Sequence, residues 1–410
     1  MALCASIPAF AQDYGDPSGK TLIATADLRL AAVDGERSWI DGGFGKTRFG
    51  PDDPAATDHL KLEPHAISGD VVWQPQISWS LGATLAVTAQ DGQEHPVDLS
   101  EAYLSWLRGP HGNFKLSGRL GLFWPPVSLE HSGPDWAVTE TITPSAINSW
   151  IGEEVKVGAA EATASLATAH HGRIYATVAV FGFNDTAGTL LSFRGWAFDD
   201  VKANAFGHLP LPPRGSFLQH AQADATRPVI ELDHRPGFYA RLGWTPDPAI
   251  KLHLFYYDNR GDPEASSDGR QWGWRTRFGE IGARIGAGAT RITLQAVAGR
   301  TSMGFPRAGK AWVDTRFSAA YALVTRTIGR GSVSGRIDAF GTSNIGSVIG
   351  AEDNEHGWAA TLAARRSFGP HVTLLAEALH IESDRDSRAR LGVDPQQSQT
   401  LMQLALRLHS

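Results

Sequence analysis

The sequence predicts an all-β fold, a transmembrane antiparallel β-barrel of about sixteen strands, with eighteen compatible with the same segments. Three observations carry this prediction. Short segments of alternating apolar and polar residues run from about Lys20 to the C-terminus, as expected when successive side chains meet lipid and water in turn. No apolar stretch approaches the ~20 residues that a helix needs to cross a bilayer; the longest candidate lies between Tyr175 and Phe183. Finally, the connections between segments alternate between tight turns and long charged loops, the arrangement of barrels with short periplasmic turns and long external loops.

Composition agrees. The 410 residues include 44 glycines, 13 tryptophans and one cysteine, with 20% charged residues and a formal net charge of −6. Gly, Thr, Ser, Val and aromatics are spread from end to end, which favours strands and turns over helices. The chain is read as one domain at 12–410, preceded by a secretory remnant at 1–11. That segment, MALCASIPAFA, is small and apolar and ends in the A-x-A pattern of signal peptidase, leaving Gln12 first. Cys4 lies inside it, so the exported chain has no thiol to mispair in an oxidising compartment.

The strands are predicted at 20–31, 60–73, 77–89, 97–108, 113–124, 150–167, 172–183 and 237–245. They continue at 249–257, 273–286, 290–299, 315–327, 332–341, 357–368, 371–381 and 400–409. The segment Phe114 to Phe123, FKLSGRLGLF, shows the logic: Phe114, Leu116, Leu120 and Leu122 fall on one face, and Lys115, Ser117 and Arg119 on the other. Tight turns such as Gly109-Pro110-His111-Gly112 and Ile328-Gly329-Arg330-Gly331 carry the residues that short reversals need. The long connections are 32–59, 125–149, 184–236, 258–272, 300–314, 342–356 and 382–399. Aromatics near segment ends, among them Trp73, Trp79, Trp106, Trp124, Trp150, Trp244, Tyr256, Trp274, Tyr321 and Trp358, are expected at the level of lipid headgroups.

If the apolar face meets lipid, the polar positions line a lumen: Asp27, Arg29, Lys61, Glu63, Lys115, Arg119, Glu154, Lys156, Arg241, Lys251, Arg275, Arg277, Arg291, Arg316, Arg326, Arg336, Asp338, Arg365, Glu377 and Arg407. Cations outnumber acids on this wall although the whole chain is acidic, which suggests a channel with a mild preference for anions. Arg336 with Asp338, and Glu377 with Arg407, read as structural ion pairs. The loop 125–149 carries Glu130, Asp135 and Glu140 and no Lys or Arg. Folded inward against basic walls, it would set a transverse field at the narrowest point.

This combination of sixteen strands, a long acidic third external loop and arginine-rich walls resembles the general bacterial porins of the outer membrane, whose third loop forms the constriction. The resemblance implies that Glu130, Asp135 and Glu140 form the loop side of the constriction, with Arg29, Lys61, Lys115 and Arg119 as candidates for the facing wall. It also implies a homotrimer in contact with outer-membrane lipid and lipopolysaccharide. The C-terminal stretch from His371 to Ser410 is similar to the closing hairpin of the phosphate-selective porin family, although it ends Leu408-His409-Ser410 where such barrels end in an aromatic. The longest loop, 184–236, with its RGWAFDD run, is expected either to cap the mouth or to fold over a neighbour.

Enzyme and nucleic-acid signatures fail. Gly42 to Thr47 resembles a phosphate loop, but Ile40 stands where its first glycine belongs, and H-E-x-x-H, C-x-x-C and G-x-S-x-G are absent. His170-His171 reads as a solvated turn pair rather than a metal site. No basic cluster suits nucleic acid. The expected function is passive diffusion of small hydrophilic or anionic solutes without cofactor, metal or catalysis. The alternatives are a barrel hydrolase with its site at the rim, or a secreted soluble β-protein binding carbohydrate.

Overall fold

The computed structural model describes residues 22–51, 61–91, 93–131, 133–168, 172–268, 270–347 and 354–410, with backbone alone at 61–67, 109–111, 216 and 391. The expected secretory segment with Cys4, the side chains of Lys61 and Glu63, and His170-His171 lie outside the described residues.

Sixteen long strands close into one antiparallel cylinder. In chain order they are β1 (Leu22–Asp34), β2 (Lys61–Trp73), β3 (Leu81–Ala89), β4 (Val97–His111), β5 (Phe114–Phe123), β6 (Val157–Ala167), β7 (Arg173–Gly182) and β8 (Gly237–Asp247). The remainder are β9 (Ile250–Asp258), β10 (Arg275–Ala287), β11 (Thr290–Met303), β12 (Val313–Ile328), β13 (Gly331–Asn344), β14 (Glu355–Ser367), β15 (Val372–Arg385) and β16 (Gln396–His409). Each pairs with its neighbour in sequence, and β16 pairs back onto β1 from Thr25↔His409 to Asp34↔Thr400. Closure removes both sheet edges, the condition for strands to stand in hydrocarbon without orphaned amides.

The strand faces alternate, on β5 in the predicted sense and on β12 in the opposite one, with Arg316 and Arg326 outward. On β12 Ser318, Ala320, Ala322 and Val324 are exposed outward, while Phe317, Ala319, Tyr321, Leu323 and Thr325 are buried inside. On β5 Leu120 is 58% exposed and Ser117 is buried. No helix among the described residues is long and apolar enough to cross a bilayer; the strands cross instead.

Three expectations are corrected. Residues 150–156 do not begin a strand: α1 spans Ala146–Glu154, and β6 starts at Val157. The segment Ala146-Ile147-Asn148-Ser149-Trp150-Ile151 carries apolar residues at helical spacing behind Ser145, whose hydroxyl accepts the Asn148 amide. Trp124, Trp150, Trp274 and Tyr321 are buried inside the barrel, whereas Trp73, Trp79, Trp244, Tyr256 and Trp358 are exposed on or beside its outer surface. The connection 90–96 between β3 and β4 is short although it lies at the long-loop end.

Candidate functional site

The lumen is occupied by two of the chain's own loops. The third long-end loop, 124–156, leaves β5 and descends against β10 and β11. The Leu129 amide donates to Gln295 Oε1 at 3.4 Å, and the Leu129 carbonyl accepts from Arg284. Gly282 permits this approach, since a Cβ there would lie 2.7 Å from Leu129 Cδ1 and from His253 Nε2. The loop then nears the short-turn end. Glu140 accepts from Arg291 at 2.5 Å and Ser332 at 3.0 Å. The Ile142 amide donates to Glu377 at 2.6 Å, and Arg407 donates to the Val138 carbonyl at 2.9 Å.

From there α1 climbs back through the bore. Its N-terminus faces carboxylates, the favourable sign for exposed helix amides. The Ala146 amide donates to Asp338 at 3.1 Å, and Glu130 accepts from the Ser145 amide, the Ser145 hydroxyl and Asn148 Nδ2. Arg336, on the inner face of β13, ties the turn before α1 to the wall. Its guanidinium donates to Asp338, Glu130, the Thr143 and Pro144 carbonyls and Thr361, at 2.7 to 3.2 Å. All five of its N–H groups are thereby used, so full burial leaves no donor orphaned. Trp150 fills the centre, edge-on to Phe278 at 5.3 Å and Phe317 at 5.0 Å.

The fourth loop, 183–236, crosses above α1. Glu154 at the end of α1 accepts the Leu190 and Gly188 amides and Trp150 Nε1. Burial pushes its carboxyl up to about 7, against these donors. Arg194 grips Glu153 through two bonds of 2.7 Å and stacks on Trp39 of the first loop. Trp196 donates to the Gly341 carbonyl. Asp200 meets Arg29 at 2.5 Å and Arg48 at 3.1 Å, and Lys202 bridges Asp70 and Asp135 at 2.9 and 2.7 Å. The RGWAFDD run therefore lies across the mouth of its own barrel.

The three loop acids expected at one constriction are separated. Glu130 serves Arg336, Asp135 serves Lys202, and Glu140 serves Arg291. The expected facing wall is also elsewhere. Arg29 pairs with Asp27 and Asp200, Arg119 forms a two-pronged pair with Glu161 on the adjacent strand at 2.9 and 3.0 Å, and Lys115 stands lower on that inner face, half-buried. The strand cations that bond the third loop here, Arg284, Arg291, Arg336 and Arg407, lie on β10, β11, β13 and β16. Of these, Arg284 is the one absent from the expected wall; its inward parity with Phe278, Glu280 and Gly282 was its signal.

Of the lining candidates, Arg241, Arg291, Arg336, Arg365, Glu377 and Arg407 lie on inner faces, and Lys156 is buried at the end of the third loop, donating to the Ser100 carbonyl. Arg275, Arg277 and Arg316 do not: strand parity places all three on the exterior, exposed. Arg326 also faces out. The Arg336–Asp338 pair exists at 2.7 Å. The expected Glu377–Arg407 pair does not, because Glu377 accepts loop amides and Arg407 pairs with Asp27 at 2.7 Å.

At mid-height the bore is tight: Thr177, Arg241, His253, Glu280, Gln295, Tyr321 and Arg336 are all buried. Towards the short turns it widens beside β5 to β9, where Lys115, Thr163, Ser165, Arg173, Tyr175, Thr245 and Lys251 are half-buried. The two acids above this vestibule are already engaged, Glu161 by Arg119 and Tyr239 and Glu280 by His253. The vestibule is therefore lined by cations and hydroxyls.

No protein-family model and no characterised protein sequence matches the chain. Solved structures do. The outer-membrane channel DcaP of Acinetobacter baumannii matches with a TM-score of 0.56 at 9% identity, over 95% of this chain and 96% of that one. The anion-selective porin of Comamonas acidovorans gives 0.51 at 12%, over 95% and 99%. OprB of Pseudomonas putida gives 0.51 at 11%, over 95% and 94%. At such identities the likeness concerns architecture, and the fold of this chain is that of the bacterial outer-membrane porins.

Proposed function

We propose that the chain is an outer-membrane channel of the porin type, passing small hydrophilic solutes down their gradient through a bore narrowed by its third and fourth loops. One observation carries this reading: a closed cylinder whose outer face is apolar and whose inner face, next to the short turns, is a half-buried vestibule of cations and hydroxyls. A protein that buried its apolar surface in water would not leave Leu120, Val178, Leu242, Leu254, Ile281, Ile337 and Leu362 exposed around one girdle.

The excess of cations over free acids in the vestibule supports a preference for anions, and one structural neighbour is an anion-selective porin. A homotrimer is the assembly we propose, in keeping with the resemblance to porins. The hydrolase alternative finds little support. Ser128 Oγ lies 2.7 Å from His131 Nδ1, but both are buried, the hydroxyl oxygen also accepts the Glu130 and His131 amides, and His131 stacks on Trp136.

Reconstitution into planar bilayers tests the reading. Stepwise conductance is expected, with a reversal potential under a salt gradient that marks anions as the favoured carriers. A folded barrel that stays silent would refute the channel, and cation selectivity would refute the preference alone.

A further inference from the structure

We propose that Lys202 and Asp135 join in an intramolecular amide, Nζ to Cγ, which ties the fourth loop to the third across the mouth of the barrel, with Asp70 on the wall moving the proton. This goes beyond the channel reading and does not depend on it. Three lysines are buried among the described residues, Lys46, Lys156 and Lys202. Lys156 donates to the carbonyls of Ser100 and Ala203, which are backbone amides already. Lys46 meets Glu355, but Arg385 holds the same carboxylate as an anion. Lys202 alone of the three faces two carboxyls, Asp135 Oδ2 at 2.7 Å and Asp70 Oδ1 at 2.9 Å, and no arginine bonds either acid among the described residues.

Three chain segments fix this triad. Asp70 lies on the inner face of β2 opposite Thr88 of β3, whose hydroxyl donates to its Oδ1 at 2.6 Å. The Asp135 amide donates to Glu101 at 2.6 Å, and its Oδ1 accepts the Ser100 hydroxyl at 2.6 Å. That hydroxyl draws electrons from Cγ and is placed to steady an oxyanion on Oδ1. Lys202 is pinned through its backbone, the amide donating to Gln90 Oε1 and the carbonyl accepting from Gln93 Nε2. Asp135 and Trp136 take φ of +65° and +49°, a costly conformation for residues with a Cβ that persists only where the surroundings dictate it. Trp136 stacks on Trp124, and both are buried, which keeps water from the pair.

In water an ammonium and a carboxylate outlast the amide because both ions are hydrated; burial withdraws that advantage. Burial first, and then the charge of Asp70, raise the Asp135 carboxyl above the usual carboxylate range against the pull of Lys202, which favours its acid form. Burial also opposes the Lys202 ammonium, but the two carboxyls outweigh it and raise that group, so the resting nitrogen is protonated. The step therefore begins with Asp70, whose carboxylate takes one proton from Nζ. The freed amine, held in place, adds to Cγ of the Asp135 acid, and the tetrahedral carbon expels its hydroxyl as water with a second proton from nitrogen. One C–N bond forms and one C–O bond breaks, nothing is oxidised or reduced, and the products are the amide, one water and the Asp70 acid.

The test takes the full folded chain, boils it in detergent, digests it with trypsin and reads the peptides by mass spectrometry. An unjoined chain yields separate peptides 120–156 and 195–202, cut after Arg119, Lys156, Arg194 and Lys202. We expect instead a branched species of 120–156 and 195–214, one water lighter than its two parts, because an acylated Lys202 no longer admits trypsin. K202R keeps the cation and should give linear peptides only. D70N, refolded from urea, should form the branched species about a hundredfold more slowly than the refolded parent, the share of rate that a positioned proton acceptor supplies. Linear peptides alone from the folded parent, or a branched peptide from K202R, would overturn the amide, and a D70N rate equal to the parent's would overturn the part given to Asp70. Should either variant fold poorly, as heat-modifiable gel mobility reports, the parent digest still decides. Bilayer conductance on the same samples reports the channel reading separately, since the amide can form in a silent barrel and be absent from a conducting one.

Discussion

Arg336 is the side chain whose loss should open the bore. It is fully buried, and its five donors reach Asp338, Glu130, Thr361 and the carbonyls of Thr143 and Pro144. In Arg336→Ala the two carboxylates remain buried without their cation and the two carbonyls lose their donors. Removing one partner of a buried ion pair costs about 3–5 kcal/mol, and each ~1.4 kcal/mol is tenfold in an equilibrium. The balance between docked and released third loop should thus shift by two to three orders of magnitude. The wall should persist, because β13 keeps its backbone ladders to β12 and β14. Single-channel recording should show larger or longer openings than the parent, while gel mobility still reports an intact barrel. Lysine, a point charge without the planar fork, should rescue only in part. An intact barrel with the parent's conductance would refute the idea that this network holds the plug.

The docked state should also depend on pH. The Glu154 carboxyl is raised to about 7 by burial, so the docked loops prefer it protonated; that contribution is full below its ordinary value of about 4.5 and is lost as pH rises through about 7. Open probability should climb between pH 5 and pH 8, and Glu154→Gln should flatten this limb; an unchanged profile in that variant would assign it elsewhere. Trp150→Ala empties the centre of the bore and should cost about 3–5 kcal/mol of loop packing, seen as a lower-temperature transition in calorimetry ahead of barrel melting. Gly188→Ala should loosen the fourth loop, because Gly188 has φ +104° and a Cβ would lie 2.1 Å from Thr301 Oγ1; increased protease cleavage within 183–236 would report it. Arg119→Glu breaks the pair with Glu161 and faces one carboxylate with another, so reversal potentials should move towards cations, and an unmoved potential would place Arg119 off the conducting path.

The barrel was legible because its exterior must satisfy lipid at every second position, a constraint that β5 displays in sequence alone. The wall lost legibility where its two solvents changed. Near headgroups the outer face takes charge, so Arg275, Arg277 and Arg316 look like lumen residues until register is known. Inside, the loops supply an apolar partner, so Phe317, Tyr321 and Leu323 face inward and the contrast on β12 blurs. The acids of the third loop were visible as a group, but their partners were not: a loop's path across a lumen depends on contacts 150 or more residues away, such as Glu130 with Arg336. Helix α1 was hidden because its apolar residues continue into β6 with no breaking residue at Val155.

The strand faces require that this cylinder stands in lipid with one face outward. Single cysteines along β12, carrying an environment-sensitive dye and reconstituted with spin-labelled lipid, test it directly. Quenching is expected at positions 318, 320, 322 and 324 and protection at 319, 321 and 323. Uniform protection, or quenching of the second set, would contradict it.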